Sequence, residues 1–451
     1  MKKLLLSLAV LALCVGYTGA QVKSIKNGES WFDDNNDLVQ AHGSSIIKHN
    51  GIYYMVGEDR TYPWVFNAVN LYSSTDLMNW KFESEIVDRS ANSHLTNQER
   101  IVERPCLIYN ANTNMFVLWV KYQNGDYNNN KAALFTSSTI DGNYTYIKEF
   151  ESGGYDSNDG NLFQDTDGTV YYISTCKEFG SLNIYKLTSD YLDVESTSIL
   201  FERGGREAPL IIKKDNIYYL LTSGKSGWDP NPLKYATSMA FTPMSGWSGL
   251  TTIADRMSYD SQPTSYLHIT GTEGTSYFYV GDRWKDPELP ISKTVIYPLT
   301  LNNGIVGIQY VHEFTIDLEK GTWTPFDDNV YLPQDNWSVV SSTGGVGGGN
   351  LASRAIDDNP NTFWQTSGSG AHPHEIVVDL GSSQSVSGFR YMQRNDDNIY
   401  GIVKEYKLYL SDDLNNWGTP VSAGWMSYTT DKAFSTKMGA LHAICCRIRT
   451  W

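Results

Sequence analysis

Two stretches of the chain place a carboxylate just ahead of a proline and an apolar run. "VERPCLIY" does so with Glu103 and "GREAPLIIKK" with Glu207. A buried charge is costly unless something pairs with it or uses it. Three further polar residues hold the same place in the pattern, about eight to ten residues before a hairpin turn: His42, Asp159 and Gln262. Carboxyl groups on opposite sides of a glycosidic bond are what glycoside hydrolysis needs. One must stay protonated and give its proton to the leaving oxygen, and burial beside a second carboxylate raises its pKa. Glu207, with Asp159 one repeat away, fits that acid. On the opposite wall Glu103 and Gln262 are the candidates for handling water, although an ordinary amide is a very poor base.

The elements that must position these residues are short strands. Five hairpins look alike: "IIKHNGIYYMVG", "LIYNANTNMFVLWV", "LFQDTDGTVYYIST", "LIIKKDNIYYLLTS" and "YLHITGTEGTSYFYVG". Each is an apolar strand, a turn rich in Asn, Asp or Gly, and an aromatic strand. Their spacing of roughly 45 to 65 residues suits propeller blades. The expected fold is all-β: a five-bladed β-propeller followed by a β-sandwich. The innermost strand of each blade lines the channel, so five equivalent positions converge on one spot. A strand-start residue that merely caps a turn looks the same taken singly. Five in register, three of them carboxylates, crowd like charge at one place, which is unfavourable without a use.

The motifs resemble glycoside hydrolase family 43 over roughly residues 30–320. "QAHGSSIIKHNGIYYMVGED", "VERPCLIYN", "DSNDGNLFQDTDGTVYYIST", "REAPLIIKKDNIYYLLTSGKSGWDPNP" and "DSQPTSYL" carry the resemblance. Most members have an Asp base in the first blade. His42 stands there instead, which is similar to the branch of exo-β-1,3-galactanases. The resemblance implies Glu207 as acid and Asp159 as its pKa modulator or orienter. It implies Glu103 and Gln262 as water- or sugar-positioning groups, the Gln having been proposed as an imidic-acid base in that branch. His42, Glu58 and Trp228 match substrate-binding positions. A salt bridge between Glu58 and Arg60, and packing of Trp228 between blades, are the structural alternatives. The family normally inverts the anomeric centre, with acid and water-activating groups about 6.5–9.5 Å apart.

From about Asn336 the composition turns Gly/Ser-rich. "AIDDNPNTFW" and "HEIVVDLG" resemble a discoidin-type carbohydrate-binding module of family 32, a jelly-roll sandwich. That resemblance implies a structural calcium on oxygen ligands of the hard kind, with Asp357, Asn359 and Thr362 as candidates. Asp and Asn side chains stitching a turn give the same pattern.

The opening "MKKLLLSLAVLALCVGYTGAQ" reads as a secretory leader cut near Ala20, with lipidation at Cys14 as a lesser alternative. The expected organisation is a leader over 1–20, the catalytic propeller over 21–328 and the sandwich over 329–451. A net charge of −15 argues against nucleic acid as partner. No later segment is long and apolar enough to span a membrane, and no obligate protein partner is evident. Catalysis calls for no cofactor. The expected protein is therefore an exported, inverting, exo-acting glycosidase on β-1,3-galactan or arabinogalactan, reaching the periplasm, the cell surface or the medium. The alternatives are a β-galactosidase, α-L-arabinofuranosidase or β-xylosidase on the same fold, or a carbohydrate-binding propeller without activity.

Overall fold

The computed structural model describes residues 24–450 apart from 94, 96–99, 125–129, 178–179, 202–203, 242–245, 255–256, 326–331, 345–349, 358–361, 367–371, 387, 393–402, 404, 426–430 and 436–440. The expected hairpins are all present. Two of them close on two-residue turns, Asn50-Gly51 and Asp215-Asn216, with positive φ at both residues of each. That turn carries the right-handed twist of the flanking strands across without splaying them.

Each hairpin forms the inner half of a four-stranded antiparallel sheet. Blade 1 contains His42–His49, Ile52–Glu58, Ala68–Ser74 and Lys81–Asp88. Blade 2 runs Arg100–Asn110, Met115–Asn124, Lys131–Ser137 and Thr145–Phe150. Blade 3 runs Gly160–Gln164, Val170–Cys176, Ser181–Leu187 and Val194–Phe201. Blade 4 runs Arg206–Lys214, Ile217–Gly224, Lys234–Ser238 and Thr251–Thr252. Blade 5 runs Gln262–Thr270, Thr275–Arg283, Lys293–Asn302 and Ile305–Ile308. The first strands of successive blades touch, and that of blade 5 packs on that of blade 1.

The expected count of five is corrected to six. A sixth, three-stranded sheet joins Ile25–Lys26 to Glu313–Asp317 and Thr322–Pro325. Ile25, Phe314 and Ile316 pack into one core with Met55 and Tyr72 of blade 1 and Phe278 and Ile296 of blade 5. This sheet has no inner hairpin of the repeated kind, and two of its strands are brought together from opposite ends of the propeller sequence. Counting hairpins therefore missed it.

The C-terminal module is β-structured, as expected. Ser338–Ser342, His374–Val386, Leu441–Thr450, Glu405–Ser411 and Ser422–Trp425 form a five-stranded sheet in that order, and Gly388–Met392 pairs with Asp431–Ser435. Ile376, Val378 and Leu380 alternate inward and pack against Trp337, Ile356 and Trp364. Among the described residues no helix is long and apolar enough to cross a membrane.

Candidate active site

The strand starts share a local device. In blades 1, 2, 4 and 5 the pairing of the first two strands slips just after the ring residue, between His42 and Ser45, Glu103 and Cys106, Glu207 and Leu210, and Pro263 and Ser265. A bulge of this kind re-aims a side chain at the end of a ladder. Gly43, Arg104 and Ala208, the residues after His42, Glu103 and Glu207, all have positive φ, at 58°, 54° and 49°. At Gly43 a Cβ would fall 2.3 Å from Glu58 Oε1, so the position suits glycine. For Arg104 and Ala208 the conformation costs about 1–2 kcal/mol each. Arg104 is held there by its own contacts: its N–H donates to Glu58 Oε1 at 2.7 Å, and its guanidinium donates to Pro263 O at 2.6 Å. The arrangement behind the repeated carboxylate-X-Pro signal is thus a bulge that turns the carboxylate off the sheet.

Glu103, Asp159, Glu207 and Gln262 are brought together. They line one cavity of about 360 Å³ with Glu58, Arg60, Arg104, Lys121, Trp64, Trp228 and Trp284. Ligand pockets run from about 300 to 1,000 Å³, so this one is small. The cavity holds four carboxyl groups and three cations. Glu103 takes two of the cations, Arg60 Nη2 at 2.8 Å and Lys121 Nζ at 2.7 Å. Burial alone would raise its pKa, but Lys121 and Arg60 hold it down at about 2. Asp159 lies 3.4 Å from Arg104 Nη2 and 3.5 Å from Lys121 Nζ. Glu58 pairs with Arg60, the structural alternative foreseen for it, yet it also lines the cavity. Burial pushes it up to about 7 against that pairing.

Glu207 differs from the other three. Its contact is with an amide, Gln262 Nε2 at 3.1 Å, rather than with a cation at ion-pair distance. Burial and then the Asp159 charge push its carboxyl up to about 7, against Arg104, Lys121 and Lys225. One proton shared among the four carboxyl groups leaves the cavity neutral, and Glu207, which unlike Glu58 has no cation at ion-pair distance, is the better placed to keep it.

His42 occupies the ring position expected of it but is absent from the cavity lining. It is 2% exposed, with its ring 6.1 Å from that of Trp284. Burial, then Arg60 and Lys293, lower its pKa to about 3. His42 is expected among the substrate-binding residues; the structure places its imidazole beneath the lining. Trp228 does line the cavity. Its ring stands 5.0 Å from Trp284 and 6.3 Å from Trp64, with the Arg60 guanidinium 5.7 Å from its face. Three tryptophans from three blades make one wall.

Sequence reasoning missed Arg104, Lys121, Ser223, Trp64 and Trp284. A signal existed for some of them. In four of the hairpins the second strand places a residue directly across from the ring residue: Glu58 opposite His42, Lys121 opposite Glu103, Ser223 opposite Glu207 and Asp282 opposite Gln262. Reading the hairpin register outward from its turn comes within one residue of these partners, the offset being the extra residue of the bulge. The tryptophans lie in the longer connections and carry no such signal.

In the C-terminal module Thr362 Oγ1 donates to Asp357, 2.8 and 2.7 Å from its two carboxylate oxygens, and Arg354 Nη1 lies 3.1 Å from Oδ2. Asn359 lies outside the described residues. Among the described residues no group of three or more His, Cys, Asp or Glu side chains is placed to hold a metal.

Comparison with known proteins bears on the family and the fold. Residues 38–271 match the family described as Glycosyl hydrolases family 43, and residues 338–440 match the F5/8 type C domain. An exo-β-1,3-galactanase from Clostridium thermocellum is similar at 29% identity, covering 92% of this chain and 99% of that one with a TM-score of 0.65. An exo-β-1,3-galactanase from Phanerochaete chrysosporium, solved with galactose, shares the fold at 23% identity and a TM-score of 0.71, covering 95% of this chain and 96% of that one. Galactose oxidase from Gibberella zeae is 35% identical over 106 residues, which is 22% of this chain and 15% of the length of that relative.

Proposed function

Because the chain belongs to glycosyl hydrolases family 43, we propose that its cavity removes terminal galactosyl residues from β-1,3-linked galactan, such as an arabinogalactan backbone, with inversion at the anomeric carbon. The observation that carries the reading is the carboxyl of Glu207, kept protonated to about pH 7 beside Asp159 while Glu103 is held ionised. Two groups with environments that push their pKa values apart are what an acid and an anionic stabiliser require. Glu207 gives its proton to the glycosidic oxygen as the C1–O bond breaks. Water attacks C1 from the opposite face, and its surplus proton passes to solvent water as the C1–OH forms. Asp159 raises the pKa of the acid, and Glu103, Glu58 and the tryptophan wall hold the sugar. The galactan substrate is supported by the likeness to the Clostridium thermocellum exo-β-1,3-galactanase along nearly the whole chain.

In this reading the catalytic domain runs over residues 21–328 and the C-terminal module over 329–451. The module binds carbohydrate and keeps the enzyme on its polymer. Calcium is not carried into it: of the candidate ligands, Asp357 is paired with Arg354 and accepts from Thr362. The leader-like residues 1–20 support export.

Reducing-sugar release from β-1,3-galactan, arabinogalactan, arabinan and xylan, with the first-formed anomer followed by NMR, tests the proposal. Galactose released first as the α-anomer from the two galactans is expected. Release from xylan or arabinan alone assigns a different sugar, and a first-formed β-anomer overturns inversion.

A further inference from the structure

All four hydrogen-bonding directions of the Gln262 amide are used. Oε1 accepts from Arg104 Nη2 and from Trp284 Nε1, the latter at 3.0 Å. Nε2 donates to Glu207 Oε1 and to Ser223 Oγ, both at 3.1 Å. The residue is only 9% exposed. A guanidinium and an indole N–H are donors with no acceptor to offer. Flipping the amide would set N–H against N–H on that side, so the orientation is dictated by its neighbours. They dictate the tautomer as well. An imidic acid carries an O–H that needs an acceptor, and both neighbours of Oε1 are donors.

The other half of the amide bears on the acid. A protonated carboxyl has one hydrogen. The oxygen that receives the Gln262 N–H acts as the carbonyl oxygen, which leaves the proton on Oε2. We infer that Gln262 is a positioning residue: as an ordinary amide it holds the Glu207 proton on Oε2, and it does not activate water. During bond cleavage the proton passes from Oε2 to the glycosidic oxygen, which keeps the electron pair of the C1–O bond. Glu207 is left as a carboxylate, and the Gln262 N–H then bonds a charged acceptor, a stronger contact than before. Arg104 and Trp284 keep the amide in place through this change. The inference rests on the acid role proposed for Glu207.

Two substrates separate the readings. β-1,3-Galactobiose has a poor leaving group, and 2,4-dinitrophenyl β-galactoside has one that needs little protonation. Gln262→Ala is expected to lose about 10²-fold in kcat on the disaccharide, the scale of a misplaced reacting group, and much less on the aryl galactoside. Glu207→Gln serves as the reference and shows the same split. An equal loss on both substrates, or restoration of Gln262→Ala by azide, puts Gln262 on the water side and overturns the inference. Wild-type rates in Gln262→Ala overturn it too. If Glu207→Gln shows no split, or the unaltered enzyme hydrolyses no galactoside, it is the acid reading that fails.

A pH profile supplies a readout that a merely structural role would not move. Gln262→Glu keeps the shape and places a second carboxyl group about 3.1 Å from Glu207 Oε1, the distance Nε2 now holds. Two carboxyl groups that close share a proton, and one pKa rises strongly. The basic limb of kcat/KM is expected to move up by about one unit or more. An unmoved limb overturns the inference.

Discussion

Glu103 and Glu207 stand at the same place in blades 2 and 4, each followed by a residue at positive φ, yet their charges are governed in opposite ways. Lys121 and Arg60 clamp both oxygens of Glu103 and hold it at about 2. Glu207 meets an amide and the field of Asp159, and burial takes it to about 7. The repeat supplies two equivalent carboxylates, and the neighbours divide the chemistry between them.

The Glu207 carboxyl must be protonated to act. Its pKa of about 7 therefore places the basic limb of kcat/KM near pH 7, with activity falling as pH rises through it. Glu207→Gln is expected to lose about 10²–10⁴-fold on galactan, the usual worth of a general acid, and to lose that limb. A variant that keeps both the rate and the limb removes Glu207 from the mechanism.

Glu103 has little basicity left to give, since both oxygens already face cations. Glu103→Gln is expected to impair turnover severely, because it removes the anion that Lys121 and Arg60 share and leaves them only Asp159 and Glu58. Truncating one member of a buried pair typically costs about 3–5 kcal/mol, so a drop in melting temperature should accompany the loss. Azide should not restore the rate. Rescue by azide, with the fold intact, would instead make Glu103 the base.

His42 makes the fold sensitive to acid. Its folded pKa, about 3, lies below the 6.5 of the free side chain. Between those values the unfolded chain binds a proton that the folded chain does not, so this contribution falls as pH drops below about 6.5. At pH 5 the loss comes to about 2 kcal/mol relative to pH 7. Glu58 and Glu207 act with the opposite sign: their folded pKa values are raised, so their contribution is present at low pH and is lost as pH rises toward 7. The difference between unaltered protein and His42→Asn, in urea unfolding at pH 7 and pH 5, isolates the imidazole. The variant should lose less stability on acidification; parallel behaviour would mean that His42 is protonated in the fold.

By itself the sequence determined the propeller, the sandwich and the ring. Turn chemistry such as Asn50-Gly51 and the two-residue alternation of strands are local properties, set within a few residues, and a repeat copies them into register. His42, Glu103, Asp159, Glu207 and Gln262 could be picked out for that reason. Tertiary structure decided what each of them is. Whether a carboxylate becomes an acid or a fixed anion depends on cations and dipoles within about 4 Å, where Coulomb energies inside a protein reach several kcal/mol. Those partners come from other strands and other blades: Lys121 across the hairpin, Arg60 from blade 1, Trp284 from blade 5. The same distance in chain hid the sixth sheet, whose Ile25 pairs with Phe314, and the burial of His42, which shares the ring position but not the cavity. Periodicity says which side of a strand a residue faces, and only the closed ring says what waits there.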